Sequence, residues 1–164
     1  MTAFGRFPAK AVKNLTQEAV RGALADAALA RDAVGAAYFA NTTQGLMEGQ
    51  HLVPGQIALR EIGFEGIAMV NVENACASAS SAFHGAYLAV KAGMSDVALA
   101  IGVDKMYGED KQKSFAIFDG AWDVHGVAGT IAALDALGAG LEPPPGTVTP
   151  NAPRRTRRHA YANF

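Results

Sequence analysis

Apolar and polar positions follow distinct rhythms along this chain, and each rhythm predicts an element. Residues 14–31 repeat at helical spacing, with Val20, Ala23, Leu24, Ala27 and Ala28 on one stripe. Thr16 is placed to cap that helix, with Gln17 and Glu18 in its first turn. Residues 33–41 (AVGAAYFAN) form a short apolar run that reads as a buried strand. Residues 41–55, rich in Asn, Thr, Gln and Gly, read as loop. Pro54 then opens a short helix that runs to Arg60 and is ended by Gly63. Residues 67–72 are the next strand. Helical spacing returns after it, placing Cys76, Ala79, Phe83, Ala86, Tyr87 and Val90 on one stripe with a stop near Gly93. The continuous apolar run 97–103 (VALAIGV) predicts a strand buried on both faces. Strand, helix and strand at this spacing make a βαβ unit, so the predicted class is α/β with a mainly parallel sheet.

Beyond Val103 the rhythm breaks. Residues 105–113 are charged and polar, 114–122 aromatic and irregular, and 126–137 read as one more helix containing Ile131, Ala132 and Leu134. Pro143, Pro144 and Pro145 are followed by the basic run Arg154-Arg155-Thr156-Arg157-Arg158-His159. Prolines disrupt regular structure and the basic run has no apolar period, so 143–164 is expected to be a disordered tail.

Composition adds limits. The 164 residues allow one domain with a core, and half of them are hydrophobic with few aromatics. A formal net charge of −1 gives no general attraction for nucleic acid or anionic membrane, and the basic run lacks the interleaved aromatics of an RNA-binding segment. No apolar run approaches membrane-span length and no secretory leader is visible, so the expected location is cytoplasmic. A single cysteine excludes an internal disulfide framework, and the four histidines lack ligand spacing, so no metal site is expected. No Gly-rich phosphate loop follows a strand, which leaves a nucleotide cofactor unsupported.

The lone cysteine is where candidate chemistry concentrates. In Val70-Asn71-Val72-Glu73-Asn74-Ala75-Cys76-Ala77-Ser78, an apolar strand turns at once into small helix-compatible residues. That places the thiol at a helix start, where unpaired N–H groups and the helix dipole favour a thiolate, the nucleophilic form. The same pattern also suits a small buried side chain at a tight helix start, and the segment alone leaves both readings open.

The segment Asn71-Val72-Glu73-Asn74-Ala75-Cys76-Ala77-Ser78 resembles the nucleophile motif of thiolases, specifically the lipid-transfer-protein type. Gln44-Gly45, Gly49-Gln50-His51-Leu52-Val53-Pro54-Gly55-Gln56 and Ala98-Leu99-Ala100-Ile101-Gly102-Val103-Asp104-Lys105-Met106 extend the likeness, which runs from about Phe4 to about Pro145. The resemblance implies an α/β, thiolase-like N-terminal half-domain with a mixed, mainly parallel sheet, incomplete, followed by the start of a loop region. In domain terms, 1–142 is a partial N-terminal domain, with 1–104 its sheet and helices and 105–142 the start of the loop region.

By resemblance, Cys76 is the acyl-accepting nucleophile and coenzyme A thioesters are the substrates, with no further cofactor. The implied reaction is condensation of acyl-CoA, cleavage of 3-ketoacyl-CoA, or retro-aldol cleavage of steroid side-chain CoA esters with a small partner protein. The resemblance also implies homo-oligomerisation through the strand at 67–74. The family's catalytic histidines and second cysteine belong to a C-terminal half, and none of His51, His84, His125 and His159 lies in a matching motif. The chain therefore looks truncated, and turnover is expected only with a missing half. His84 lies two helical turns beyond Cys76, about 12 Å along the axis, too far to take its proton. His51 reads as structural or site-lining, and Asp104, Glu109 and Asp110 as a solvated loop.

Two local departures bear on the fold. Ala79 stands where relatives commonly have glycine, which adds a methyl group at a tight approach. The family's central strand, flanked by those matching 33–41 and 97–103, has no counterpart here, and unpaired backbone groups are expected on both neighbours. A non-catalytic acyl-CoA- or lipid-binding subunit and a ketosynthase-like condensing enzyme are the competing functional readings.

Overall fold

Residues 36–40, 68–72 and 98–102 are each five residues long, and their equal length lets them pair in full. The structure is a computed structural model that describes residues 1–137, 139–140 and 145–146. Strands β1 (Ala36–Ala40), β2 (Ala68–Val72) and β3 (Ala98–Gly102) form a parallel sheet in the order β2-β1-β3. The register runs from Ala36 opposite both Ala68 and Ala98 to Ala40 opposite both Val72 and Gly102. The expected gap between β1 and β3 is thus absent, because the two strands pair directly with each other. Bonds from Gly35 N to Val97 O (3.0 Å) and from Val103 N to Ala40 O (3.1 Å) extend the ladder past both ends. Direct pairing satisfies the backbone groups that a gap would have left open.

Alternation along β1 sends Phe39 to one face and Tyr38 to the other. Helices α1 (Val12–Asp26) and α3 (Pro54–Arg60) cover the Phe39 face and α4 (Ser78–Lys91) the Tyr38 face. The core of the Phe39 layer contains Val12, Val20, Phe39, Leu59, Phe64 and Ile101. Helix α3 has the predicted bounds, opened by Pro54 and followed by Gly63 at φ +84°.

Expectations for four segments are corrected. Helix α1 starts earlier and ends sooner than 14–31, with Ala28 left-handed at φ +52° after its C-terminus. Thr16 is buried inside the helix rather than capping it, and its hydroxyl donates to Val12 O at 2.9 Å. The buried face is Val12, Leu15, Thr16, Gln17 and Val20, because the first turns dock on α3, where Gln17 Nε2 donates to Ala58 O. The loop expected at 41–55 contains a short helix, α2 (Gln44–Glu48), ended by Gly49 at φ +78°.

The third correction concerns α4, which buries Ser78, Ala82, Ala86 and Ala89, whereas Phe83 is 68% exposed and Tyr87 and Val90 also face outward. Space decides this. A Cβ on Gly85 would stand 2.6 Å from the Tyr38 ring, so only small side chains fit between α4 and the sheet. The Ala79 methyl fits for a complementary reason: it lies 3.0 Å from where a Cβ on Gly102 would be, and Gly102 has none. Finally, β3 is an edge strand with only Ile101 buried, not a strand enclosed on both faces.

Two predictions arise from these contacts. Gly55 lies in α3 with its N–H donating to Asn71 Oδ1 at 2.8 Å, and a Cβ there would meet Phe39 Cβ at 2.7 Å. In Gly55→Ala, better helix propensity contributes about 0.5–1 kcal/mol, while overpacking costs about 1–3 kcal/mol. Phe39 Cβ is anchored to the central strand and cannot swing away, so the clash wins. The urea midpoint should fall, and a raised midpoint would show that α3 slides freely. The second prediction concerns Glu61, whose carboxyl accepts hydrogen bonds from Lys13 and Gln17. These bonds, Lys13's foremost, hold the carboxyl below its ordinary value of 4.5. A lowered folded value means stability present above the unfolded value and lost as pH falls through the folded one. Glu61→Gln should flatten the fall in melting temperature below about pH 4.5; superimposable acid-side curves would refute it.

The chain divides into two units, 1–109 and 110–164. The second, taken by itself, contains α5 (Lys111–Ala116), a 3-10 turn (Ile117–Ala121) and α6 (Val127–Leu137). Helix α6 matches the predicted 126–137 to within one residue, whereas α5 spans the end of the charged stretch 105–113 and the start of the irregular stretch 114–122, neither read as a helix. Asp110 starts α5, its carboxylate accepting from Gln112 N (2.9 Å) and Lys113 N (3.2 Å). It is thus a helix cap, while remaining exposed as expected. No residue of α5, α6 or the intervening turn is buried. The expected tail, 143–164, lies outside the described residues except for 145 and 146.

Candidate active site

The chain leaves β2 at Val72 and reaches α4 at Ser78, so it must reverse direction within a few residues. It does so through a 3-10 turn, Ala75–Ala77, with Cys76 at its centre. Cys76 therefore precedes α4 instead of lying within its first turn. Its thiol is exposed, which removes the reading of a buried packing residue. Ala75 adopts φ +46°, a left-handed conformation that disfavours any residue with a Cβ.

Neighbouring polar groups hold the turn. Glu73 accepts from Ala75 N at 2.7 Å, and Asn74 O accepts from Ala77 N at 2.9 Å. Ser78, 3% exposed, accepts from Asn74 N at 2.7 Å and donates to Ala75 O at 2.7 Å. Asn74 Nδ2 donates to Ser81 Oγ at 2.9 Å. The asparagine and serines flanking Cys76 are thus the framework of the turn.

The other candidate residues disperse. His84 lies exposed on α4, beyond Cys76. His51 is exposed and lines a cavity of about 200 Å³ at the C-terminal ends of β1 and β2, with Thr42, Asn71 and Glu73 also in its wall. Asp104 is exposed, as the sequence led one to expect, but it is also tied down: its Oδ1 accepts from the backbone N–H groups of Thr42 (3.0 Å) and Thr43 (2.9 Å). Thr42 in turn reaches the cysteine turn, with its hydroxyl 3.0 Å from Ser78 Oγ. Sequence reading missed Thr42 and Ser78. The available signal was Asn41-Thr42-Thr43 directly after a strand, residue types that bond to turn backbones. Among the described residues, no group of His, Cys, Asp or Glu is arranged to hold a metal ion. No described helix is long and apolar enough to cross a membrane.

Residues 1–134 match the family described as "Thiolase, N-terminal domain". The chain belongs to the thiolase family. Individual relatives agree over shorter stretches. An acetyl-CoA acetyltransferase of Methanocaldococcus jannaschii is 36% identical over 105 residues, 64% of this chain and 26% of the relative. Non-specific lipid-transfer protein-like 2 of Caenorhabditis elegans is 46% identical over 52 residues, 32% of this chain and 13% of the relative. Sterol carrier protein 2 of Bos taurus is 32% identical over 93 residues, 57% of this chain and 16% of the relative. The chain thus matches about a quarter or less of the length of these relatives. The parallel sheet and the turn bearing Cys76 are the thiolase N-terminal half-domain in this chain.

Proposed function

We propose that Cys76 accepts an acyl group from an acyl-CoA thioester, as the first half of a thiolase-type acyl transfer. The carrying observation is an exposed thiol on a constrained turn at a helix start, within a thiolase-family chain. In this reaction the Cys76 thiolate attacks the thioester carbonyl and forms a C–S bond. The first turn of α4 follows directly, and its backbone N–H groups are the candidate donors to the oxyanion. Collapse of the tetrahedral intermediate breaks the bond to the coenzyme A sulfur, which leaves and takes up the proton given up by Cys76. One thioester is exchanged for another, without oxidation or reduction.

The second half, condensation with another acyl-CoA or its reverse, needs a base that His84, two helical turns beyond Cys76, is too far away to supply. Complete turnover is therefore proposed for an assembly in which a further half contributes that group. The outer edge of β2 supports self-association there: it is unpaired among the described strands, and Val70 on the strand is exposed. The test is incubation of the full chain with acetyl-CoA, followed by intact-mass and peptide mass spectrometry. A single acetyl group on Cys76, released by neutral hydroxylamine, is the expected result. No adduct, or acetylation confined to lysines, would defeat the proposal. The cavity lined by His51, Asn71 and Glu73 favours a second reading, acyl-CoA or lipid binding without chemistry. That reading expects ligand affinity without any adduct.

A further inference from the structure

The cysteine turn is held from a second direction, by the strand ends opposite it. Four donors converge on Oδ1 of Asp104, just beyond β3: Thr42 N (3.0 Å), Thr43 N (2.9 Å), Thr43 Oγ1 (2.8 Å) and Asn41 Nδ2 (3.2 Å). Asn41 Nδ2 also donates to Val103 O. One carboxylate oxygen therefore ties the loop after β1 to the end of β3. From that loop Thr42 Oγ1 lies 3.2 Å from Ala75 O and 3.0 Å from Ser78 Oγ. The Ser78 proton is already directed at Ala75 O, so the Thr42 proton completes the set at one of these two oxygens. The peptide so held belongs to Ala75, whose left-handed φ persists only where its surroundings over-determine it. Cys76 is the next residue.

We propose that Asp104 and Thr42 are positioning residues for Cys76. Asp104 fixes the loop after β1, and the Thr42 hydroxyl clamps the Ala75 peptide and Ser78. Together they hold the thiol in its attacking orientation at the start of α4. Without the clamp, Ala75 relaxes toward an ordinary conformation and carries Cys76 with it. A reacting group displaced by even a fraction of an ångström attacks more slowly. The inference rests on the acyl-acceptor reading of Cys76, and its test separates the two.

The test uses the full chain and two rates at Cys76: acetylation by acetyl-CoA and alkylation by iodoacetamide. Thr42→Val keeps the side-chain shape without the hydroxyl, Thr42→Ser keeps the hydroxyl, and Asp104→Asn weakens the acceptor. Thr42→Val and Asp104→Asn should each slow both reactions about tenfold, while Thr42→Ser stays at the wild-type rate. The double variant should be no slower than the slower single variant, because Asp104 acts through the loop that carries Thr42. Thermal melting monitors the fold, and Asp104→Asn carries the test if Thr42→Val does not fold. Wild-type rates in both Thr42→Val and Asp104→Asn overturn the inference. So does multiplication of the two losses in the double variant, or failure of Thr42→Ser to restore the rate. Should acetyl-CoA label no form of the protein, wild type included, the acyl-acceptor reading falls, and the alkylation rates still decide the clamp.

Discussion

Cys76→Ala is expected to abolish acyl transfer to the chain completely while leaving its stability within about 0.5 kcal/mol of wild type. Both halves of that expectation follow from position. The chain has one cysteine, so on the acyl-acceptor reading no second thiol can sustain a residual adduct. The thiol is exposed, so removing its sulfur opens no cavity. Alanine is also already present on both sides of it, at Ala75 and Ala77, which shows that the turn accommodates a methyl side chain. The measurement pairs intact mass after acetyl-CoA incubation with a melting curve. Equal adduct in wild type and Cys76→Ala would place the chemistry elsewhere. A large loss of stability would show that the thiol is a packing group after all.

The largest loss of stability is expected from Phe39→Ala. Phe39 is 1% exposed, lies on the central strand, and shares the core with Val12, Leu59 and Ile101. Truncating a buried phenylalanine costs about 3–5 kcal/mol, against a total of about 5–15 kcal/mol for a typical domain. The partner surface cannot close the gap easily. Helix α3 already approaches as near as Gly55 permits, and the strand is pinned by neighbours on both sides. Urea unfolding should show a much lower midpoint or no native baseline. Phe83→Ala is the matched control, because the same truncation on the exposed face of α4 should change stability by about 0.5 kcal/mol or less. Similar losses in the two variants would refute the assignment of faces.

That control touches the clearest limit on what the chain pattern conveys. By size and hydropathy, Phe83, Tyr87 and Val90 are the natural buried stripe of α4, yet the helix buries Ser78, Ala82, Ala86 and Ala89. Periodicity ranks faces by apolar bulk, whereas the sheet accepts only what fits beneath Gly85 and Tyr38. The same difference explains Thr16, a good cap by residue type that a tertiary contact carries inside the helix. It explains Ala79 as well, whose extra methyl is harmless because Gly102, distant in sequence, leaves room. Asp104 and Thr42 are 62 residues apart, and no local spacing links them. Their meeting depends on β1 and β3 lying side by side, a pairing that sequence reading had assigned to a missing strand.

The sequence by itself determined the order of the three strands and of helices α1, α3, α4 and α6, the parallel α/β class, the helix from Pro54 to Arg60 and the place of Cys76 at a strand-to-helix junction. These follow from short-range physics: apolar period, proline at a helix start, and small residues after a strand. Only the tertiary structure decided which face of α4 is buried, that β1 and β3 pair directly, and that Asp104 and Thr42 reach the cysteine turn. Those features rest on steric fit and on hydrogen bonds between segments remote in sequence. Such contacts come into being only when the strands are assembled.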